Sequence, residues 1–421
     1  MTDNKLPSDC CMDANDASVS AAGALQLIAE NTRPVSGTEA APLRSALGRI
    51  LAAPITSPIN VPAYRNSAMD GYAVHGKDIP RDGQSRLPVV GSAFAGKPYP
   101  GTLERGTCVR IMTGAKMPSG ADTVIMQEWV EREGDEALID NRTKPGANVR
   151  QAGEDIQADS VILEAGSEIG PAQLGLLASL GIAEVQVRRR VRVAFFSSGD
   201  EIRSIGQPLE EGQIYDSNRY TLYGMLREIG AEVIDMGVIP DRADAIEGAI
   251  REAANEADLV LTSGGISVGE ADFIAETIHK LGRVHFAKVA IKPGRPLTFA
   301  HVDDACFFGL PGNPVAVMIT FLQFARPAIL RMQGRQPRLE PTIKVKAGSA
   351  FRKLPGRTEY QRGILSLDQN GELVVDSSGR QGSGVLSSMS NGNCFILLDE
   401  SSESVRPGDP VEVQPFELLR R

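Results

Sequence analysis

The chain has 421 residues and a formal net charge of −9, with 44 Lys and Arg against 53 Asp and Glu. This length predicts about three domains of ~150 residues each, and the acidic balance disfavours a general surface for nucleic acids or anionic membranes. Any anionic ligand must therefore meet a local basic pocket. The five cysteines include one adjacent pair, Cys10-Cys11, but no metal-ligand spacing, which favours a reduced cytoplasmic setting.

The first 17 residues are polar and acidic, without the apolar core of a signal peptide, and we expect a disordered tail at 1–17. A metal held by Cys10-Cys11 is the alternative for this tail. No run of about 18 uninterrupted apolar residues suggests a membrane span. Val19 to Thr32 has the periodicity of an amphipathic helix with Ser20 as its cap, and a second helix is predicted from Leu43 to Leu51.

Short apolar and β-branched runs, separated by Pro and Gly turns, predict a small β-rich domain at 60–149. The segments on either side, 18–59 and 150–188, resemble each other more than they resemble this stretch. We infer that they form one split linker domain into which the β-rich domain is inserted. The insertion opens with Asn66 to Ala73, for which a capped turn is the simplest interpretation.

Strands and helices alternate from 189 to 336, which predicts a doubly wound, mostly parallel α/β domain. At its centre, Leu259 to Asp272 passes from a buried strand into Gly264 and Gly265. Glycines allow a ligand to approach the backbone, and open α/β sheets bind ligands at the carboxyl ends of their strands; a tight strand-to-helix turn is the alternative. A long apolar core helix is expected from Val315 to Leu330, and the strands at 337–421 predict a C-terminal domain resembling a β-barrel.

Acidic residues follow the predicted strands of the α/β domain. They are Asp200, Glu201, Asp216, Asp241, Glu270 and Asp272. Since parallel strands place their carboxyl ends on one rim, at least four carboxylates should face one crevice, where their repulsion calls for a cation. Magnesium suits oxygen ligands of this kind, while helix capping is the alternative for any single acid.

Basic residues are predicted on the same rim. Lys288, Lys292 and Arg295 lie within Lys-Val-Ala-Ile-Lys-Pro-Gly-Arg-Pro, a pattern that suits a tetrahedral oxyanion. Leu310 to Pro314 ends the next strand and opens a helix whose N–H groups suit an anion as well. Acids for magnesium beside bases for an oxyanion predict chemistry at a phosphoanhydride. The sequence has no Walker loop and no dinucleotide glycine fingerprint, which argues against ordinary kinases and dehydrogenases.

A set of short motifs, weak singly, is specific as an ordered series. The set comprises Asn66 to Ala73, Ile111-Met112-Thr113-Gly114-Ala115, Gly153-Glu154-Asp155, Ser198-Gly199-Asp200-Glu201, Tyr215-Asp216-Ser217-Asn218, Ser263 to Gly269, Lys292-Pro293-Gly294 and Leu310 to Pro314. Over residues 18–421 the sequence resembles the molybdopterin molybdenumtransferases, the MoeA family, which also includes the E domain of gephyrin.

The resemblance implies a four-domain, elongated homodimer that converts adenylylated molybdopterin and molybdate to molybdenum cofactor and releases AMP with Mg²⁺ present. It places the pterin and phosphate pocket at Ser263, Gly264, Gly265 and Asp272, and Ser267, Pro311, Gly312, Asn313 and Pro314 are further candidate cofactor-binding residues. Magnesium or the anhydride is assigned to Glu201 and Asp241 together with Asp272. Molybdate is assigned to Lys292, Arg295, Arg362 and Ser383, and Lys288 is a further candidate catalytic residue.

Outside the α/β domain, Asp70, Thr113 and Asp155 match motif positions, and the resemblance implies that Asp70 reaches the site from the partner subunit. Two departures bear on molybdate affinity, because the family often has Lys where Arg295 stands and Ser where Ala316 stands. The resemblance allows molybdopterin adenylyltransferase and apo-molybdoenzymes as partners. Molybdopterin adenylylation and a dimeric scaffold without catalysis are the rival functions.

Overall fold

The computed structural model describes residues 18–264, 273–335 and 341–419. The chain divides into two compact units. The first comprises the described parts of Met1–Glu39, Gly48–Ile50 and Val187–Arg421, and the second comprises Ala40–Leu47 and Leu51–Gln186. The expected tail at 1–17, together with Gly265, Ser267, Glu270 and Asp272, lies outside the described residues.

A six-stranded sheet forms the centre of the first unit. Its strands are β1 (Arg192–Ser198), β2 (Glu232–Ile239), β3 (Leu259–Ser263), β4 (Gly282–Lys288), β5 (Pro296–Val302) and β6 (Ala305–Leu310), in the spatial order β2-β1-β3-β6-β5-β4. Strands β2, β1, β3 and β6 are parallel, as predicted. Strand β5 is antiparallel to both neighbours and was not predicted. The predicted doubly wound, mostly parallel architecture is confirmed.

Helices cover both faces of this sheet. They are α1 (Ala21–Asn31), α2 (Ser217–Glu228), α3 (Ala243–Glu256) and α4 (Phe273–Leu281), and two short strands, Ile202–Arg203 and Ile214–Tyr215, pair between β1 and α2. Ser20 caps α1 by accepting a hydrogen bond from the Gly23 N–H at 3.1 Å, as predicted. One face of the sheet packs on a cluster that includes Phe195, Leu261 and Phe308, and the other on a cluster that includes Phe196 and Val260.

The long apolar segment after β6 is a core helix. It runs as α5 (Pro314–Thr320), a π-helical turn (Phe321–Ala325) and α6 (Arg326–Met332). The π turn ends two residues before Pro327, whose missing N–H cannot continue the regular ladder, so the wider turn absorbs the break. Within the described ranges this is the one helix long and apolar enough to span a membrane, with mean hydropathy 1.4, but 67% of that stretch is buried inside the protein.

The C-terminal part of the first unit is a closed barrel. Its strands are β7 (Ile343–Ala347), β8 (Thr358–Leu367), β9 (Leu373–Ser377), β10 (Cys394–Leu398) and β11 (Pro410–Pro415). The order β8-β9-β7-β11-β10 closes when β10 pairs with β8. Short helices occupy Ser387–Asn391 and Phe416–Leu419. The pair Ile291–Lys292, from the α/β domain, joins β8 in parallel beside Thr358 and Glu359.

The second unit contains the β-rich insertion. Its main sheet orders Thr123–Met126, Gly71–Val74, Cys108–Ile111, Gln84–Ala93, Glu136–Asp140 and Glu131–Glu133. Smaller pairs are Asn66–Ser67 with Val149–Arg150 and Ile55–Thr56 with Val161–Leu163, and strands Thr38–Pro42 and Glu184–Arg188 also pair, while Pro171–Ser179 is helical. Gly71 is required here because a Cβ at this position would lie 2.0 Å from the Ile125 carbonyl oxygen.

The predicted helix from Leu43 to Leu51 is wrong. Only Leu43–Ala46 form a 3-10 turn. Gly48 then adopts φ +74°, and the Leu51 N–H donates to the Ser167 carbonyl. A left-handed glycine ends a helix, so the apolar spacing of this stretch serves an extended segment.

Two histidines, hereafter the histidine pair, bridge β4 and β5. His285 Nε2 and His301 Nδ1 lie 2.9 Å apart, and Cys306 Sγ lies 3.4 Å from His301 Nε2. Burial lowers the pKa of both histidines below 6.5, and the positive charge of Arg283 adds to this effect.

Candidate functional site

The carboxyl ends of β1, β3 and β6 lie close together at Ser198, Gly264 and Gly312. Gly264, just after β3, has φ +88°, and a Cβ there would lie 2.5 Å from the Ser198 carbonyl oxygen at the end of β1. A Cβ at Gly312, after β6, would lie 3.7 Å from the Gly264 Cα. These contacts leave backbone exposed at the rim, which suits close approach of a ligand.

Asn218 joins two of these strand ends, a role that the sequence interpretation missed. Its Nδ2 donates to Ser263 Oγ at 2.9 Å and to the Gly312 carbonyl at 2.7 Å. Its Oδ1 and the Ser198 Oγ are buried and have no hydrogen-bond partner among the residues that the structure describes. Buried polar atoms without partners are rare and call for an explanation such as a ligand. Asn218 belongs to the motif Tyr215 to Asn218, but only the acid of this motif was predicted to lie at the site.

Asp216 is not a rim carboxylate. It is 3% exposed and caps α2, accepting from the Arg219 N–H at 3.1 Å and from Ser197 Oγ at 3.1 Å. Its other oxygen lies 3.3 Å from Arg219 Nε. The expectation that Asp216 faces the crevice is therefore wrong, and the capping alternative holds for this residue.

Three other acids do gather at the β1 and β2 end of the rim. Burial raises the pKa of Asp241 above 3.8, and the negative charges of Asp200 and Glu201 raise it further. The Glu201 carboxylate folds over Gly199, where a Cβ would lie 2.5 Å from Glu201 Oε2. Among the described residues no three His, Cys, Asp or Glu side chains converge as a metal site.

The basic residues lie at the other end of the same rim. Lys288 ends β4, and Arg295 precedes β5 with its Nε donating to Ser18 Oγ at 3.3 Å. Asp241 follows β2, five strand positions away from β4. At about 4.8 Å per strand the two ends are roughly 24 Å apart. The acids and bases therefore do not form one compact centre.

A cavity of about 280 Å³ opens between Lys292 and the barrel. Arg362, on β8, lines it and is 1% exposed. Its guanidinium donates to neutral acceptors, Ser388 Oγ at 3.0 Å and the carbonyls of Gly382 at 3.1 Å and Arg380 at 3.5 Å. Burial lowers the pKa of Arg362 to about 10. A buried cation held by neutral groups provides an anion-binding position.

Lys292 stands at the mouth of this cavity, and a buried carboxylate holds it. Its Nζ lies 3.3 Å from Glu359 Oε1, with the Lys292 side chain 51% exposed and that of Glu359 5% exposed. The predicted residue Ser383 lies beside the start of α5, where its carbonyl accepts from the Val315 N–H at 3.1 Å. The sequence did not single out Glu359, because one acid on a barrel strand carries no motif.

The segment from Pro311 to Pro314 leads into α5. Asn313 precedes the helix, with Pro314 in its first turn, and the Asn313 carbonyl accepts from the Val317 N–H at 2.9 Å. The Val315 N–H is already bonded to Ser383, so it is not available to an anion. The Asn218 contact to Gly312 makes this segment part of the floor between β3 and β6.

The predicted residues of the second unit form a separate group. Asp70 Oδ1 accepts from the N–H and from the hydroxyl of Thr113, each at 2.7 Å. The hydrogen bond from the Thr113 N–H is the main reason why the pKa of Asp70 lies below 3.8. Asp155 is exposed, and its N–H donates to the Val61 carbonyl at 3.0 Å. Asp70 thus fixes the Thr113 loop through a tertiary contact.

Family models match three stretches of the chain. The MoeA N-terminal region (domain I and II) matches residues 19–181, a probable molybdopterin binding domain matches 194–331, and the MoeA C-terminal region (domain IV) matches 344–416. These stretches include both the candidate rim and the barrel cavity.

Curated relatives and solved structures agree with the family models. The chain is 44% identical to a molybdopterin molybdenumtransferase of Haemophilus influenzae, covering 91% of this chain and 95% of the relative, and 37% identical to one of Nostoc sp., covering 89% and 88%. The crystal structure of a molybdopterin biosynthesis MoeA protein from Pyrococcus horikoshii superposes with a TM-score of 0.81 at 30% identity, covering 95% of this chain and 100% of that one.

Proposed function

The chain belongs to the molybdopterin molybdenumtransferase family, and we propose on that premise that it inserts molybdate into adenylylated molybdopterin and releases AMP. It is a transferase of molybdenum cofactor biosynthesis. In this reaction a molybdate oxygen attacks the adenylyl phosphorus, and the bond from that phosphorus to the molybdopterin phosphate oxygen breaks. The two dithiolene sulfurs bond to molybdenum as AMP leaves with the attacking oxygen and a second oxygen leaves as water with the two thiol protons. The protein has to hold two anionic substrates together, the tetrahedral oxyanion and the phosphoanhydride.

The cavity with Arg362 is the observation that carries this proposal. Its 280 Å³ exceed by far the ~10–15 Å³ that one water requires. Arg362 provides a fixed fork, while Lys292 provides a compact charge at the mouth. We assign molybdate, as substrate, to this cavity. Lys288 and Arg295 lie on the adjoining rim and add positive charge along the way in.

We assign the pterin phosphate to the rim between β3 and β6. There, Gly264 and Gly312 keep the backbone open, and Asn218 Oδ1 and Ser198 Oγ are buried polar atoms without a partner in the described part of the chain. Because one molybdate must reach both the anhydride and the dithiolene, a substrate on this rim has to hold these two groups close together, between the acids and the cavity. Preorganised groups of this kind reduce the cost of positioning both reactants.

Magnesium is proposed at the acidic end. Asp241 with one neighbouring acid, Asp200 or Glu201, offers one or two carboxylates; burial, and after it the negative charges of these neighbours, raises the pKa of Asp241. Mg²⁺ is commonly held by one or two carboxylates together with substrate phosphates and water, so this donor set agrees with it. When bound, the ion would neutralise negative charge on the anhydride. The assignment of Asp272 to magnesium stays a prediction, because this residue lies outside the described ranges.

Release of AMP tests the proposed function. Purified protein is incubated with adenylylated molybdopterin, magnesium and increasing molybdate, and AMP is quantified by chromatography. We expect release that depends on molybdate and that is lost in Arg362→Met. The matched control is Arg357→Met, a neighbouring surface arginine that does not line the cavity. AMP release that is independent of molybdate, or equal in Arg362→Met and the control, would argue against the proposal.

The rivals are less well supported. An adenylyltransferase does not account for matches that extend over the N-terminal and barrel regions. A scaffold without catalysis does not require an anion cavity. We propose in addition that the protein works in the cytoplasm as a homodimer, that Asp70 serves the site of the partner subunit, and that it exchanges substrate and product with molybdopterin adenylyltransferase and apo-molybdoenzymes. Light scattering of the purified protein tests the dimer directly.

A further inference from the structure

Glu359 is fixed through both of its carboxylate oxygens. Oε1 lies 3.3 Å from Lys292 Nζ, and Oε2 accepts from Gln361 Nε2 at 3.1 Å. The same Gln361 nitrogen donates to the Arg352 carbonyl at 2.8 Å. The acid is 3% exposed, so its position is set by packing as well as by hydrogen bonds. A rigid carboxylate therefore holds the end of a long, otherwise mobile lysine.

The charges that line the cavity do not cancel. Three positively charged residues, Lys292, Arg352 and Arg362, line it, and Glu359 is the carboxylate among the lining residues of the described chain. The net surplus of two positive residues matches an oxyanion with two negative charges. Removal of the carboxylate would raise this surplus to three and remove the ion pair that holds Lys292.

We propose that Glu359 is a positioning residue that aims Lys292 at the bound oxyanion and limits how tightly the cavity holds it. This proposal rests on the proposed function and assigns a role within its anion site. An ammonium group has three N–H donors, so the pair with Glu359 leaves donors for the anion. A more positive cavity would bind the substrate more tightly while presenting it less productively.

The substitution Glu359→Gln tests both parts. Molybdate binding is measured by titration calorimetry at low salt without the pterin substrate, and AMP release gives kcat and KM for molybdate. We expect Glu359→Gln to bind molybdate about tenfold more tightly, because one repulsive charge is removed at short range in a medium of low effective dielectric. The kcat should fall at least tenfold, because Lys292 is no longer aimed.

Two further variants distinguish the effect of the Glu359 charge from its effect on the position of Lys292. Glu359→Asp keeps the charge but withdraws it by one methylene, so the Kd for molybdate should stay close to wild type while kcat falls. Glu372→Gln removes a carboxylate from a surface pair with Lys346 on the barrel, and it should change neither quantity. Thermal melting confirms that each variant is folded.

The outcomes are distinct. Tighter molybdate binding together with slower AMP release in Glu359→Gln supports the proposal. Unchanged or weaker binding in this variant overturns it, as does an unchanged kcat, since a purely structural role predicts no gain in affinity. The calorimetric result stands even if wild-type protein releases no AMP, an outcome that would count against the proposed function alone.

Discussion

Replacement of Arg362 by Met should show separately what the buried charge costs in folding stability and what it contributes to anion binding. Burial lowers the pKa of Arg362 from 12.5 to about 10. Since tenfold in a protonation equilibrium corresponds to about 1.4 kcal/mol, holding this cation in the empty cavity costs about 3 kcal/mol. Its hydrogen bonds to Ser388, Gly382 and Arg380 return about 1 kcal/mol each. The two contributions nearly balance, so Arg362→Met should leave the stability of the ligand-free protein within about 1 kcal/mol of wild type.

Binding of an oxyanion should stabilise the charged Arg362 of the wild type and so raise the free energy of unfolding. A ligand at one hundred times its Kd stabilises the folded state by about 2.7 kcal/mol. We expect molybdate to raise the melting temperature of wild-type protein and to leave that of Arg362→Met unchanged. Scanning calorimetry with and without molybdate, with chloride at equal ionic strength as the control, makes the measurement. A large drop in the melting temperature of ligand-free Arg362→Met would refute the energetic reasoning, and a retained molybdate shift would refute the site.

Three further predictions concern other parts of the first unit. Because the pKa values of the histidine pair are lowered in the folded protein, the unfolded chain binds protons at these histidines at a higher pH than the folded chain does. The contribution of the pair to stability should therefore be present above pH 6.5 and decline as the pH falls below it. Melting temperatures measured from pH 8 to 5 check this, and a flat profile would contradict it. Gly264→Ala places a Cβ 2.5 Å from a carbonyl oxygen at positive φ and should slow AMP release at least tenfold, whereas Gly248→Ala, at an open helical position, should preserve the rate and slightly raise stability. Asp241→Asn should raise several-fold the magnesium concentration needed for half-maximal AMP release, while the exposed Asp244→Asn should not; equal magnesium curves would exclude Asp241 as a ligand.

Much of the α/β domain could be predicted because its periodic signals agree with its tertiary contacts. The apolar runs at 192–198 and 259–263 are buried on both faces, and the parallel order follows from the helices between strands. Strand β5 was missed because no helix separates β4, β5 and β6, so the rule of alternation does not apply there. The helix predicted near Gly48 was wrong for a different reason. The spacing of apolar residues within this segment does not show that it is extended and fixed by hydrogen bonds to distant carbonyls.

The candidate site could be predicted where side chains follow strands, as for Asp241 and Lys288. It could not be predicted where the position of a side chain depends on a contact with a residue that is distant in the sequence. Asp216 turned inward because a helix cap used its oxygen. Asn218 and Glu359 act through contacts with residues 94 and 67 positions away, and sequence spacing carries no information about such distances.

The short parallel pairing of Ile291–Lys292 with β8 has a mechanical consequence. It ties the backbone that carries Lys292 to the strand that carries both Glu359 and Arg362, so the three charged groups share one hydrogen-bonded ladder. Any hinge that swings the barrel would have to carry this lysine along. A motion of the barrel would therefore change the position of the pterin relative to the oxyanion before it changed the contacts between these charged groups and the oxyanion.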